Sequence, residues 1–434
     1  MHKYFKWVFA CYGILICVST NSFSQTHEGV VAAINKQLIP LKTLDPDADY
    51  SDLQPLKKIL SDKPIIGIGE ATHGTKEFFV FKHRMLEFLV KEMGFKTFVI
   101  EDNFGGMQAI NDYVLTGKGD INSCMRNLGF GIWMTQEVKD MIVWIKNYND
   151  TQVANNKVQF FGCDMQWGTT AMGLLKDHLT KTNQYTPQME EGFIAIKKAI
   201  NPSLKFTSKD KKAIENAIES FKKVQYAISD TAKIAMYKHD IRIIEQYMEL
   251  LGAKSKLFPA RVLDVRDKSM AENCEWIYNF TGQKKMMIWA HNGHVNKLIS
   301  NYRLQPMGMV LSKNFKDKYY SMGFDFSAGK IRSFDITLRK DVAMDAPALM
   351  PNSSGAIFAE CAERNFILDF KSASKDPIIN TFLNKDISSV FTGGGYTVGL
   401  TKNYETNRLA DTYDAIIFIR DTNAATDIQS GTNN

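Results

Sequence analysis

The chain has 434 residues, 44% of them apolar and 23% charged, and a formal charge of +6. That is room for one large domain or two ordinary ones with a sizeable core, and the composition excludes a disordered or fibrous class. Basic residues are scattered and often stand beside acids, so a solvated surface is expected rather than a nucleic-acid partner.

Lys3 and Lys6 precede an apolar run from Trp7 to Val18, and Ser22-Phe23-Ser24 follows. A short positive region, a short apolar run and small residues describe a secretory signal peptide, too short to span a bilayer. Cleavage is expected after Ser24. The mature chain, residues 25 to 434, is then exported to the periplasm or the medium. Losing Lys3 and Lys6 lowers the formal charge from +6 to +4. No later stretch is apolar enough for stable membrane insertion. Cys17 raises a lipoprotein reading, but Ile14, Leu15 and Ile16 before it are a poor match to the small residues such processing prefers. Cys124, Cys163, Cys274 and Cys361 remain in the mature chain. Export permits their oxidation, but their wide spacing dictates no pairing. Cys163, in an apolar run, reads as a small buried residue.

Six short apolar runs bounded by polar residues follow: KPIIGIG (63–69), KTFVI (96–100), KVQFFG (157–162), KKMMIWA (284–290), KYYSMGF (318–324) and DAIIFI (414–419). Between them lie helical periodicities. Phe78, Phe81, Met85, Phe88 and Leu89 share one face of a helix ending near Gly94, and Met141, Trp144 and Ile145 do the same before the third run. Continuous apolar runs alternating with amphipathic helices predict an α/β fold, a mostly parallel sheet flanked by helices. From about residue 170 to 266 the strand signal fades into long amphipathic helices, expected to form a helical insertion or cap.

Polar residues follow the runs. Glu70 and His73 come after the first, Glu101 and Asp102 after the second, Asp164 after the third, and His291 and His294 after the fourth. Ligands of an open parallel sheet bind at the carboxyl ends of its strands, so the conjunction marks a candidate site. Arg266, opening a helix with Asp267, is placed to reach it. Trp133 and Trp167, in loops near strand ends, are expected to line a large apolar pocket. Glu77, His83 and Arg84 read as surface or salt-bridged residues, and Asp164 also fits a helix cap.

The spacing excludes several chemistries. There is no H-E-x-x-H, no phosphate loop and no G-x-S-x-G elbow, and the single Glu-x-x-His lacks the helical partner of a di-iron site. Histidines and carboxylates without a nucleophilic side chain favour general-base activation of water against a carbonyl. In that reading a histidine oriented by a carboxylate takes a proton from water, and a second histidine or a cation stabilises the oxyanion or protonates the leaving alcohol. Two alternatives stand beside it: a zinc-dependent hydrolase using His73, His291 and His294 with a carboxylate, and a secreted small-molecule binding protein without catalysis.

GEATHGTKEFF, GFKTFVIEDN, FFGCDMQ, RDKSMAEN and WAHNGHV, in this order, together resemble the erythromycin esterase family, as does PMGMVLSKNFKDKYYSMGFDF. The resemblance runs from about Ile59 to Arg420. It implies an α/β core and hydrolysis of the macrolactone ester of erythromycin-type antibiotics without a metal or other cofactor. It puts the general base on His73 and its acidic neighbour on Glu70, so that Glu70 or Glu101 is expected to orient the base and His291 to assist at the carbonyl or the leaving group. The second-strand acids fall on Glu101 and Asp102, and the paired histidines on His291 and His294. A basic residue of the family, usually Arg, falls on Lys82, with Arg84 nearby, where a substrate contact is expected. His294, Asp102, Asp164 and Arg266 complete the expected substrate-binding set.

Overall fold

The computed structural model describes residues 27–428 except 202, 227, 255–259, 299–303, 336 and 394–402. The expected signal segment, with Cys17, lies outside the described residues.

All six apolar runs are strands: β1 (Ile65–Ile68), β2 (Thr97–Asn103), β3 (Gln159–Asp164), β4 (Met286–Trp289), β5 (Tyr319–Asp335) and β6 (Ala415–Thr422). They lie side by side in the order β6-β5-β1-β4-β2-β3, every neighbouring pair parallel. Three antiparallel additions complete the nine-stranded sheet: Asn365–Asp369 on β6, Ile39–Pro40 beyond it, and Lys340–Asp345 on the far end of β5. The parallel strands are buried on both faces, which is why they read as unbroken apolar runs rather than as alternation; all four residues of β1 are buried.

The main helices are α1 (Lys76–Met93), α2 (Phe104–Thr116), α3 (Gln136–Asp150), α4 (Gly168–Lys181), α5 (Pro187–Ile200), α6 (Ser208–Lys222), α7 (Thr231–Ala253), α8 (Ala260–Phe280) and the single turn α9 (Asn292–Val295). α1 packs Phe78, Phe81, Met85, Phe88 and Leu89 against one sheet face, together with Met141 and Ile145 of α3. It stops at Gly94, whose φ of 73° is the left-handed conformation a helix end favours. The opposite face is covered by the helical region, including Met172 and Leu175 of α4, Ile243 and Ile244 of α7, and Met270 and Ile277 of α8. These helices form a layer, and the first turns of α8 reach the carboxyl edge of the sheet. Cys124, Cys163, Cys274 and Cys361 are all buried and free. Among the described residues no helix is long and apolar enough to cross a membrane.

Candidate active site

The loop after β1 builds the first half of the site. Gly69 makes this possible, because a Cβ there would lie 2.2 Å from Asn292 Oδ1. Without one, the loops after β1 and β4 touch, and Asn292 N donates to the Glu70 carbonyl at 2.9 Å. The Glu70 carboxylate is buried and fully engaged. Its Oε1 is 2.8 Å from His73 Nδ1. Its Oε2 accepts from Lys82 Nζ at 2.6 Å and from Trp289 Nε1 at 2.8 Å. A carboxylate facing Nδ1 selects the tautomer with its proton there. His73 Nε2 then carries a lone pair, and it has no hydrogen-bond partner among the described residues. The His73 side chain is 11% exposed. Its ring stands edge-on to Trp133, centroids 6.1 Å apart, and 4.7 Å from the ring of His291.

The second half is held by Glu101. The pairing of β2 with β3 slips between Ile100 and Asn103, an irregularity that re-aims side chains. Glu101 Oε1 accepts from Arg266 Nη2 at 2.7 Å and lies 3.2 Å from His294 Nε2, and its Oε2 accepts from His291 N at 2.7 Å. Arg266 also donates to Asp164 Oδ2 through Nε at 2.9 Å and Nη2 at 2.6 Å. His294 Nδ1 is 2.7 Å from Asp267. Burial alone would raise the Glu101 carboxyl, but His294 and Arg266 outweigh it and hold it well below its usual range. Burial likewise opposes the charge on His294, yet Asp267 and Glu101 lift its pKa to about 10. Arg266 Nη1 sits 2.9 Å from His294 Nε2, a contact of two cations that the three carboxylates hold together.

His291 caps α9. Its Nδ1 accepts from Gly293 N at 3.0 Å, which leaves Nε2–H to donate to the Thr392 carbonyl at 3.2 Å. Burial keeps this imidazole well below its usual pKa, hence neutral.

The sheet edge therefore brings together Glu70, His73, Glu101, Asp164, Arg266, His291 and His294. Asp102 lies beside them but turns away: its Oδ1 accepts from Gly129 N at 2.7 Å, and its buried Oδ2 has no partner among the described residues. Lys82 is 0% exposed beneath Glu70, 4.3 Å from the Trp289 ring centroid. It supports the carboxylate and does not open on the cleft. Trp133 also corrects its expectation. It is fully buried, donating to the Glu101 carbonyl at 3.2 Å, and backs His73 instead of lining an open pocket. Trp167 is half-buried and meets Phe130 edge-on at 4.6 Å. Phe130, 5.6 Å from the Arg266 guanidinium, was not legible in the sequence, nor were Trp289 and Thr392. Arg84 is buried elsewhere, 2.7 Å from Asp52. Among the described residues no three His, Cys, Asp or Glu are grouped to hold a metal ion.

The family model of erythromycin esterases matches residues 90–422. The chain belongs to the erythromycin esterase family. The matched stretch carries Glu101, Asp164, Arg266, His291 and His294 and begins inside α1, after Glu70, His73 and Lys82. The chain is 24% identical to erythromycin esterase type II of Escherichia coli over 394 residues, 78% of this chain and 88% of that one. Its fold is that of a succinoglycan biosynthesis protein, with a TM-score of 0.77 and 23% identity over 93% of this chain and 99% of the other. An EreC erythromycin esterase mutant in its open conformation shares it too, with a TM-score of 0.65 and 17% identity over 89% and 97%.

Proposed function

We propose that this erythromycin esterase family member is an exported ester hydrolase that opens the macrolactone of erythromycin-type macrolides, with His73 as general base. The observation that carries this reading is the open Nε2 of His73, aligned by a Glu70 carboxylate that Lys82 and Trp289 hold in place. Water gives its proton to Nε2, and the hydroxide adds to the ester carbonyl. His291 meets the developing oxyanion with its Nε2–H, released from Thr392 as substrate enters. The C–O bond then breaks, and the proton on His73 passes to the leaving alcohol. Products are the ring-opened acid and its hydroxyl, one water heavier than the substrate. The family relationship and the name of the E. coli relative support the substrate class.

The test expresses the full sequence in a bacterial host and recovers the protein from the periplasmic fraction, where intact mass reads a start at Gln25. Incubation with erythromycin then gives a product one water heavier, unchanged by chelator and absent with His73→Ala. Retention of residues 1–24 removes the export clause. Loss of turnover on chelation replaces general-base chemistry with a metal. A folded protein that leaves erythromycin intact moves the substrate to another ester.

A further inference from the structure

The segment Asn423–Asp427 crosses the first turns of two helices and meets both in the same way. At α1, Lys76 N donates to the Asn423 carbonyl at 2.9 Å, and Glu77 accepts from Asn423 N at 2.7 Å and from its Nδ2 at 2.8 Å. At α3, Gln136 N donates to the Thr426 carbonyl at 2.9 Å, and both Glu137 oxygens accept from Thr426 N at 3.1 Å. Each helix thus offers a threonine at the N-cap position, then an amide donor, then a glutamate: Thr75-Lys76-Glu77 and Thr135-Gln136-Glu137. The threonines form antiparallel bridges to Ala424 and Asp427. A carboxylate in a first helical turn is favoured by the helix dipole, so both acids are stable where the strap needs them.

What the strap holds is the support of His73. Between its two anchor points, Ala425 N donates to the Gly74 carbonyl at 2.9 Å, and Arg332 N of β5 donates to the same oxygen at 2.9 Å. Gly74 follows His73 directly. A Cβ on it would lie 1.9 Å from the Arg332 carbonyl, so the loop is pinned against β5 at a contact only glycine permits. The other anchor, the start of α3, follows Trp133, whose ring backs His73. Arg332 closes the arrangement, with Nε 2.8 Å from Asp427 Oδ1.

We propose that Glu77 and Glu137 are positioning residues for His73. Through the Asn423–Asp427 strap they lock the His73 loop and the Trp133 turn into one rigid seat, and neither acid touches the imidazole. This rests on the reading of His73 as the base. A misplacement of about 1 Å at a base costs on the order of 10²-fold in rate.

The experiment compares Glu77→Ala, Glu137→Ala, the double variant, and Glu77→Gln with Glu137→Gln, which keep an accepting oxygen. Two readouts are taken. One is kcat and KM on the ester that the wild type turns over. The other is the His73 imidazole signal in histidine-labelled protein, assigned by its loss in His73→Ala and titrated without substrate. The double alanine variant is expected to melt cooperatively, to lose about 10²-fold in kcat with little change in KM, and to show a shifted, broadened His73 signal. The Gln variants restore most of both. A folded double variant with wild-type His73 signal and kcat overturns the proposal. If the double variant does not fold, the single variants are read by the same two measures. If the wild type hydrolyses no ester, the reading of the site fails, and the His73 signal still decides whether the strap positions it.

Discussion

Glu70 with His73 and Glu101 with His294 are both carboxylate–imidazole pairs at one edge of one sheet, each a buried carboxylate against a part-buried imidazole. They differ in closure. In the first, a single imidazole nitrogen is engaged and the other is open. In the second, both nitrogens of His294 face carboxylates, and Arg266 adds a guanidinium between Glu101 and Asp164. A saturated cluster of opposite charges is rigid and leaves no acceptor free; an imidazole nitrogen without a partner is open to accept a proton. Under the proposed function the same residue types therefore serve as base in one place and as fixed electrostatic framework in the other. The distinction lies in how many hydrogen-bonding atoms each cluster leaves over.

The sharpest way to break this comparison is to remove the central cation Arg266 or the open imidazole of His73 and watch opposite quantities. Arg266→Ala leaves Glu101 and Asp164 buried beside one remaining cation, a loss of about 3–5 kcal/mol, read as a large fall in the urea midpoint at pH 7. His73→Ala removes one hydrogen bond to the buried Glu70 carboxylate and costs about 1.5–3 kcal/mol, while turnover falls by orders of magnitude. An Arg266→Ala protein as stable as wild type would show that the closed cluster is not a framework.

Lys82 sharpens the first cluster. Burial pushes its amine down to about 8, against the pull of Glu70. Below that pH it is charged and compensates the Glu70 carboxylate. Above it the ion pair is lost and the alignment of His73 weakens. Turnover is expected to fall on the alkaline side through about pH 8. Lys82→Arg, which stays charged, moves that limb beyond the accessible range. An identical alkaline limb in both proteins would assign it to another group.

The six parallel strands were legible because burial on both faces writes itself as uninterrupted apolar sequence. Lys340–Asp345, exposed or half-exposed along its length, carries no such mark, and Ile39–Pro40 is too short to carry any. The site followed from the strands: a polar residue after a buried run in a parallel sheet stands at one common edge. Phe130 and Thr392 arrive on loops whose course no local pattern sets. The Asn423–Glu77 contact spans 346 positions in the chain, and only the folded sheet brings it together. Lys82 was placed near the site by resemblance, but its direction, into the core under Glu70, depends on packing against Trp289.

Asp102 offers the smallest and most selective test, because it borders the closed cluster without belonging to it. Burial pushes its carboxyl up to about 7, against the Asn103 and Gly129 amides that favour the charged form, and Asp164 adds to the rise. Its folded pKa thus exceeds the ordinary 3.8. Between those values the folded state keeps a proton that the unfolded chain releases. This contribution to stability is complete below about pH 4, declines as pH rises, and is gone above about 7. Asp102→Asn keeps an oxygen for the Gly129 amide and removes the ionisation. The melting temperature of the variant relative to wild type is therefore expected to be higher at pH 8 than at pH 5, a difference of a few degrees. A gap independent of pH would mean that Asp102 ionises as freely in the fold as outside it, and that the closed cluster does not act on its neighbour.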